Sequence, residues 1–98
     1  MQTLKKDTLY DIDGGPDKEL VLVQLHDIGR FSKHRPTVEF TLKQNDAPAL
    51  RVNVLINSVT AEDGSGFCWL ISGYLPDTNQ KFASFYDTRY RKGWFRIL

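Results

Sequence analysis

The most apolar run of the chain is Gly66-Phe67-Cys68-Trp69-Leu70-Ile71-Ser72-Gly73-Tyr74-Leu75, which contains no charged residue. Alternate side chains of an extended strand point to opposite faces, and here both faces would be largely apolar. We therefore predict a strand covered on both sides, at the centre of a sheet or in the wall of a small barrel. A buried helix is the alternative, but the aromatic content and the turn residues that flank the run favour the strand.

Shorter runs on either side of this stretch also alternate between apolar and polar residues, and no segment has a helical period. Further strands are predicted at 19–27, 37–43, 50–57, 81–86 and 94–98, with a short one at 9–12. The fold class expected for the 98 residues is one all-β domain, an antiparallel meander of about five to seven strands behind a polar N-terminal segment at 1–18. A small barrel or a two-layer sandwich would satisfy this pattern, and we favour the barrel because closure removes exposed strand edges.

Composition gives little indication of a charged partner. Thirteen Lys and Arg against twelve Asp and Glu give a formal charge of +1, which creates no overall field toward nucleic acid or an anionic membrane. The single cysteine cannot form an intramolecular disulfide, the first residues lack the apolar core of a signal peptide, and no run approaches the roughly 20 apolar residues of a membrane span. We expect a soluble cytoplasmic protein that is not associated with membranes.

The sequence contains no pattern that predicts catalysis, a metal or another cofactor. Cys68 lies within the most apolar run, where a structural thiol is expected rather than a reactive thiolate. Ser65 lacks the spacing of a nucleophile elbow and is interpreted as a turn residue. Two histidines and one cysteine without paired spacing do not form a zinc site. Asp11 and Asp13 resemble the start of a calcium loop, but the glycine and glutamate that such a loop needs further on are missing.

One hypothesis of catalysis remains open. Dispersed carboxylates, such as Glu39, Glu62 and Asp63, could meet in space without leaving any signal in the sequence. Such an enzyme would need a concave pocket on which titratable groups converge.

The C-terminal segment provides the first indication of function, because cationic and aromatic residues alternate in it. The predicted interaction patch consists of Arg89, Tyr90, Arg91, Lys92, Trp94 and Arg96. Aromatic residues and arginine are enriched in the cores of protein interfaces, so the function predicted first is non-enzymatic association with another protein or with a second copy of the chain. The alternative is that Trp94 and Phe95 belong to the core and that the last strand simply closes the barrel.

A second basic segment supports a different function, the binding of nucleic acid or a nucleotide. It contains Arg30, Lys33, His34 and Arg35, and together with the C-terminal patch it could neutralise phosphates while rings stack on bases. Two short stretches also partly resemble the motifs of PilZ barrels, which would imply a cyclic dinucleotide as ligand. The arginines at 30 and 35 are five apart instead of four, and Cys68 occupies the place of the motif glycine after Asp63-Gly64-Ser65.

Overall fold

The computed structural model describes residues 3–13 and 37–98, which form a closed antiparallel barrel. Its six strands are β1 (Tyr10–Ile12), β2 (Thr37–Gln44), β3 (Ala47–Ala61), β4 (Cys68–Leu75), β5 (Gln80–Asp87) and β6 (Lys92–Ile97). Each strand pairs with the next along the chain, and β1 also pairs with β6. The predicted all-β class is confirmed, and the strands close into a barrel instead of forming a two-layer sandwich.

Most strands lie where the sequence predicts them. The main difference is β3, which extends over 15 residues because it pairs with β2 through its first part and with β4 through its last. A shift of register between Ile56 and Ser58 marks the bulge at which this long strand changes its pairing. The strand predicted at 19–27 and the basic residues Arg30, Lys33, His34 and Arg35 lie outside the described residues.

Three phenylalanine rings form the centre of the barrel interior. The rings of Phe82 and Phe95 are stacked with their centroids 4.7 Å apart, and Phe40 meets them edge-on at 6.3 and 6.0 Å. All three side chains are buried, together with the inward-facing residues of the neighbouring strands, such as Leu42 and Val54. Phe95 belongs to the terminal strand β6, so the apolar C-terminal run does close the barrel.

The central strand β4 differs from the prediction in one respect, because only its inner face is fully covered. Trp69, Ile71 and Leu75 point into the core, whereas Leu70 on the outer face is 38% exposed. Phe67, just before the strand, is 44% exposed. A strand in the wall of a single-layer barrel has one face that no second layer covers, and this explains the difference.

The segment before β1 packs against the barrel core. Leu4 is buried there and belongs to the core cluster. The Gln80 side chain holds it on both sides, since its amide Nε2 donates to the Leu4 carbonyl at 2.9 Å and its Oε1 accepts from the Leu4 amide at 3.2 Å. The Lys5 amide donates to the Tyr10 hydroxyl at 3.0 Å, which fixes the segment against β1. Residues 3–13 therefore form an integral part of the barrel.

Among residues 3–13 and 37–98, no helix is long and apolar enough to cross a membrane.

Candidate interaction surface

A row of apolar side chains crosses the outside of three neighbouring strands. Leu70 on β4 lies directly opposite Phe85 on β5, and Phe85 lies opposite Trp94 on β6. The rings of Phe85 and Trp94 are nearly parallel, with centroids 6.5 Å apart. Directly opposed residues of antiparallel strands have their Cβ atoms within about 5.5 Å of each other, so these side chains form a continuous strip. The Leu70–Phe85–Trp94 row is the apolar centre of what we call the β4–β6 face.

Basic side chains border this row on β6. The guanidinium of Arg96 lies over the Trp94 ring, with Cζ 5.6 Å from the ring centroid. Lys92 is exposed at the start of the same strand. Neither Lys92 nor Arg96 forms an ion pair within the described parts of the chain. The β6 side of the β4–β6 face therefore carries these two cations, and Asp11 of β1 lies directly opposite Trp94 beside them.

Arg89, in the turn between β5 and β6, is held by a carboxylate and by two rings. Its Nη2 lies 3.0 Å from Oδ2 of Asp87, and its Nε donates to Oδ1 at 3.2 Å, so the ion pair is bidentate. The guanidinium lies over the rings of Phe67 and Tyr90, with Cζ 5.2 and 5.3 Å from their centroids. The hydrogen bond to Asp87 raises the pKa of Arg89. These contacts fix two exposed aromatic rings beside the apolar row.

Cys68 contacts the same ion pair, because β4 and β5 place it directly opposite Asp87. Its Sγ lies 3.5 Å from Oδ2 of Asp87 and accepts a hydrogen bond from Nη2 of Arg89 at 3.6 Å. Burial, followed by the hydrogen bond to Asp87, raises the pKa of the thiol. The side chain is buried, as the sequence predicts, but the neighbouring cation was not foreseen. The protonated thiol donates to Asp87 and is a poor nucleophile at neutral pH.

The loop between β3 and β4 positions Phe67 beside Arg89. Oδ1 of Asp63 accepts hydrogen bonds from the amide and the hydroxyl of Ser65, at 3.0 and 2.6 Å, and these lower the pKa of Asp63. Ser65 Oγ in turn accepts from the Phe67 amide at 3.1 Å, and the Phe67 carbonyl accepts from the Thr88 amide at 2.9 Å. Ser65 is thus a turn residue, as predicted, and the loop is tied to the β5–β6 turn.

The six residues predicted as an interaction patch are divided between two places. Arg89, Tyr90 and Arg91 lie in the β5–β6 turn, whereas Lys92, Trp94 and Arg96 belong to β6. The sequence interpretation missed Phe67, Leu70 and Phe85, which the structure brings next to them. Within the described ranges, no group of three histidine, cysteine or acidic residues could hold a metal ion.

The Asp87–Arg89 ion pair predicts a measurable effect of pH on stability. Hydrogen bonding from Arg89 is the largest cause of the lowered pKa of Asp87. A carboxyl group of this kind stabilises the fold above its unfolded pKa of about 3.9, and this stabilisation is lost as the pH falls through the lower folded value. We expect Asp87→Asn to make the decline of the free energy of unfolding below about pH 4 shallower, as measured by denaturant titrations over a pH series. If the free energy of unfolding declined equally steeply with falling pH in the wild type and in Asp87→Asn, this expectation would be contradicted.

Comparison with known proteins finds no relative of this chain. No family model matches the chain, and neither the curated proteins nor the solved structures include a significant match. The partial resemblance to PilZ motifs is therefore without support from a family match.

Proposed function

We propose that this domain is a non-enzymatic interaction module that binds another protein through the β4–β6 face. The observation that carries the proposal is the Leu70–Phe85–Trp94 row. Outward positions of a small barrel wall ordinarily carry polar side chains, and three adjacent apolar ones leave a strip that a partner would remove from water. Burial of aromatic anchors of this kind supplies much of the affinity in protein interfaces.

The charges around the row indicate the chemistry of the partner. Asp87 is neutralised by Arg89, whereas Lys92 and Arg96 have no carboxylate partner among the described residues. A complementary surface would place apolar side chains on the row and carboxylates beside these two cations. We therefore expect a partner segment that combines aliphatic or aromatic anchors with acidic residues.

Binding of single-stranded nucleic acid is the second candidate, and one observation favours it. Tyr90 is 67% exposed and lies against the guanidinium of Arg89, next to the exposed ring of Phe67, so two rings are available for stacking. One observation weighs against it, because Arg89 is already neutralised by Asp87.

A charge placed at the β4 end of the row is expected to weaken association strongly. We expect a displayed library of random peptides, selected on the wild-type domain, to enrich sequences that are both apolar and acidic. Binding of those peptides should fall at least tenfold with Leu70→Glu, because the new carboxylate is desolvated in the interface and repels the acidic partner. Thr41→Glu is the matched control. It adds the same charge to β2, which lies on the opposite side of the barrel from β5, at a position directly across from Arg51. Binding of the selected peptides should be unchanged.

Self-association and nucleic-acid binding predict different results when the wild-type domain and its variants are measured. A dimer that persists in high salt and dissociates with Leu70→Glu, observed by light scattering after size exclusion, would identify a second copy of the chain as the partner. Salt-sensitive binding of a fluorescent oligothymidine that is weakened by Lys92→Glu would replace the proposal with nucleic-acid binding. Peptides that bind the wild type and Leu70→Glu equally well, or a selection without enrichment in a monomeric protein, would overturn it.

A further inference from the structure

A groove of about 560 Å³ lies on the outside of the barrel, and on β4 it adjoins the Leu70–Phe85–Trp94 row, because Ser72 is the next outward residue after Leu70. Its lining includes Asn57, Ser72, Tyr74, Asn79, Lys81 and Leu98. The volume falls within the range of roughly 300–1,000 Å³ that is usual for small-molecule sites. The groove shares no residue with the Leu70–Phe85–Trp94 row, so its ligand can be considered separately from the proposed protein partner.

Local features of three strands converge on the groove. The bulge between Ile56 and Ser58 interrupts the regular alternation of β3 at Asn57, and bulges of this kind redirect side chains near binding sites. Tyr74 on β4 and Lys81 on β5 lie directly opposite each other. Asn79 adopts a left-handed conformation (φ 59°) in the turn that joins these two strands. Amide, phenol and ammonium groups are thus gathered within one depression.

The side chains that line the groove favour a ligand with complementary charge and hydrogen-bonding groups. Lys81 is the one charged residue among those that line the groove in the described part of the chain, so an anionic group is favoured there. Ser72, Tyr74 and Asn79 offer hydroxyl and amide groups, which both donate and accept hydrogen bonds, as the hydroxyls of a ligand require. Leu98 supplies an apolar wall and is itself 52% exposed. We propose that this groove binds a small polyhydroxylated carboxylate, of the sugar-acid type.

The test is an NMR titration of the ¹⁵N-labelled domain with glucuronate, with glucose as the neutral control of the same ring. We expect saturable shifts of the amide signals of Ser72, Tyr74, Asn79 and Lys81, with a Kd of about 1 mM because the site is open to solvent. Glucose should bind at least about tenfold more weakly, because it lacks the group that pairs with the ammonium. The dispersion of the same spectra shows whether each variant is folded.

Variants at Lys81 separate recognition of the anion from a general effect on the surface. Lys81→Met keeps most of the aliphatic stem and should weaken glucuronate at least about tenfold, whereas Lys81→Arg should retain binding. The peptide-binding test and this titration are separate measurements, so failure of the proposed protein association and failure of this site are distinguishable. Absence of saturable shifts, equal binding of glucose, or undiminished binding to Lys81→Met would overturn the proposal.

Discussion

Replacement of Phe82 by alanine is expected to lower the free energy of unfolding by about 3–5 kcal/mol, the usual cost of removing a buried phenylalanine ring. Phe82 is fully buried and stacks on Phe95 at 4.7 Å, while Phe40 meets it edge-on. Its loss leaves a cavity at the centre of the barrel, where the surrounding strands are tied into a closed ladder and cannot collapse inward. Since small domains have only about 5–15 kcal/mol of stability in total, this variant should be partly unfolded under mild denaturing conditions.

Tyr90→Ala provides the matched control for this prediction. It removes an aromatic ring of similar size, but from a side chain that is 67% exposed and lies against the Arg89 guanidinium. The expected loss is no more than about 1 kcal/mol, the range for a cation–π contact at an exposed site. Urea titrations followed by tryptophan fluorescence would measure both changes. Equal losses in the two variants would show that the three-phenylalanine cluster is not the centre of the core.

Gly73→Ala is expected to have the second large effect, a loss of about 3 kcal/mol or more, at the upper end of the range for overpacking. A Cβ atom at this position would lie 1.9 Å from the backbone oxygen of Leu55 and 3.1 Å from the Cα of Ile56. Both atoms belong to the backbone of β3, which cannot move aside as a flexible side chain would. The variant can fold only if β3 and β4 separate, which breaks the pairing of Ile56 with Gly73.

Gly64→Ala distinguishes this steric effect from the general cost of replacing a glycine. Gly64 has a φ of 75°, but no atom lies within 4 Å of the position that a Cβ would occupy. Its substitution should cost only the strain of a left-handed conformation, about 1–2 kcal/mol. Thermal unfolding of both variants would therefore show a larger decrease in Tm for Gly73→Ala. If Gly64→Ala were the more damaging change, close packing of β3 on β4 could not be the reason for the glycine at 73.

Part of the candidate surface could be predicted from sequence because its residues are consecutive. The run from Arg89 to Arg96 shows its alternating rings and cations directly. Leu70 and Phe85 could not be assigned to the surface in the same way. Both faces of the strand around Leu70 are apolar, and periodicity alone does not indicate which face turns outward. That choice is made by the barrel, which buries Trp69 and Ile71 and leaves Leu70 beside Phe85.

The Cys68–Asp87–Arg89 arrangement shows a different reason why sequence is insufficient. Cys68 and Asp87 are 19 positions apart, and they meet because the register of β4 against β5 places them directly opposite each other. A shift of that register by one residue would turn Cys68 toward the core and separate it from the ion pair. Local patterns carry no information on register between strands, so the cation near the thiol was not anticipated.

Local sequence patterns predict the all-β class, the alternation of apolar and polar residues along the strands, and the concentration of aromatic and basic side chains near the C-terminus. These follow from local alternation, because a strand with one buried face needs apolar residues at every second position. Three features could not be read from local patterns: β6 closes the barrel on β1, three apolar side chains from three strands form one outer row, and a groove opens beside the β3 bulge. All three depend on pairing and register between distant segments, which the packing of the whole core sets.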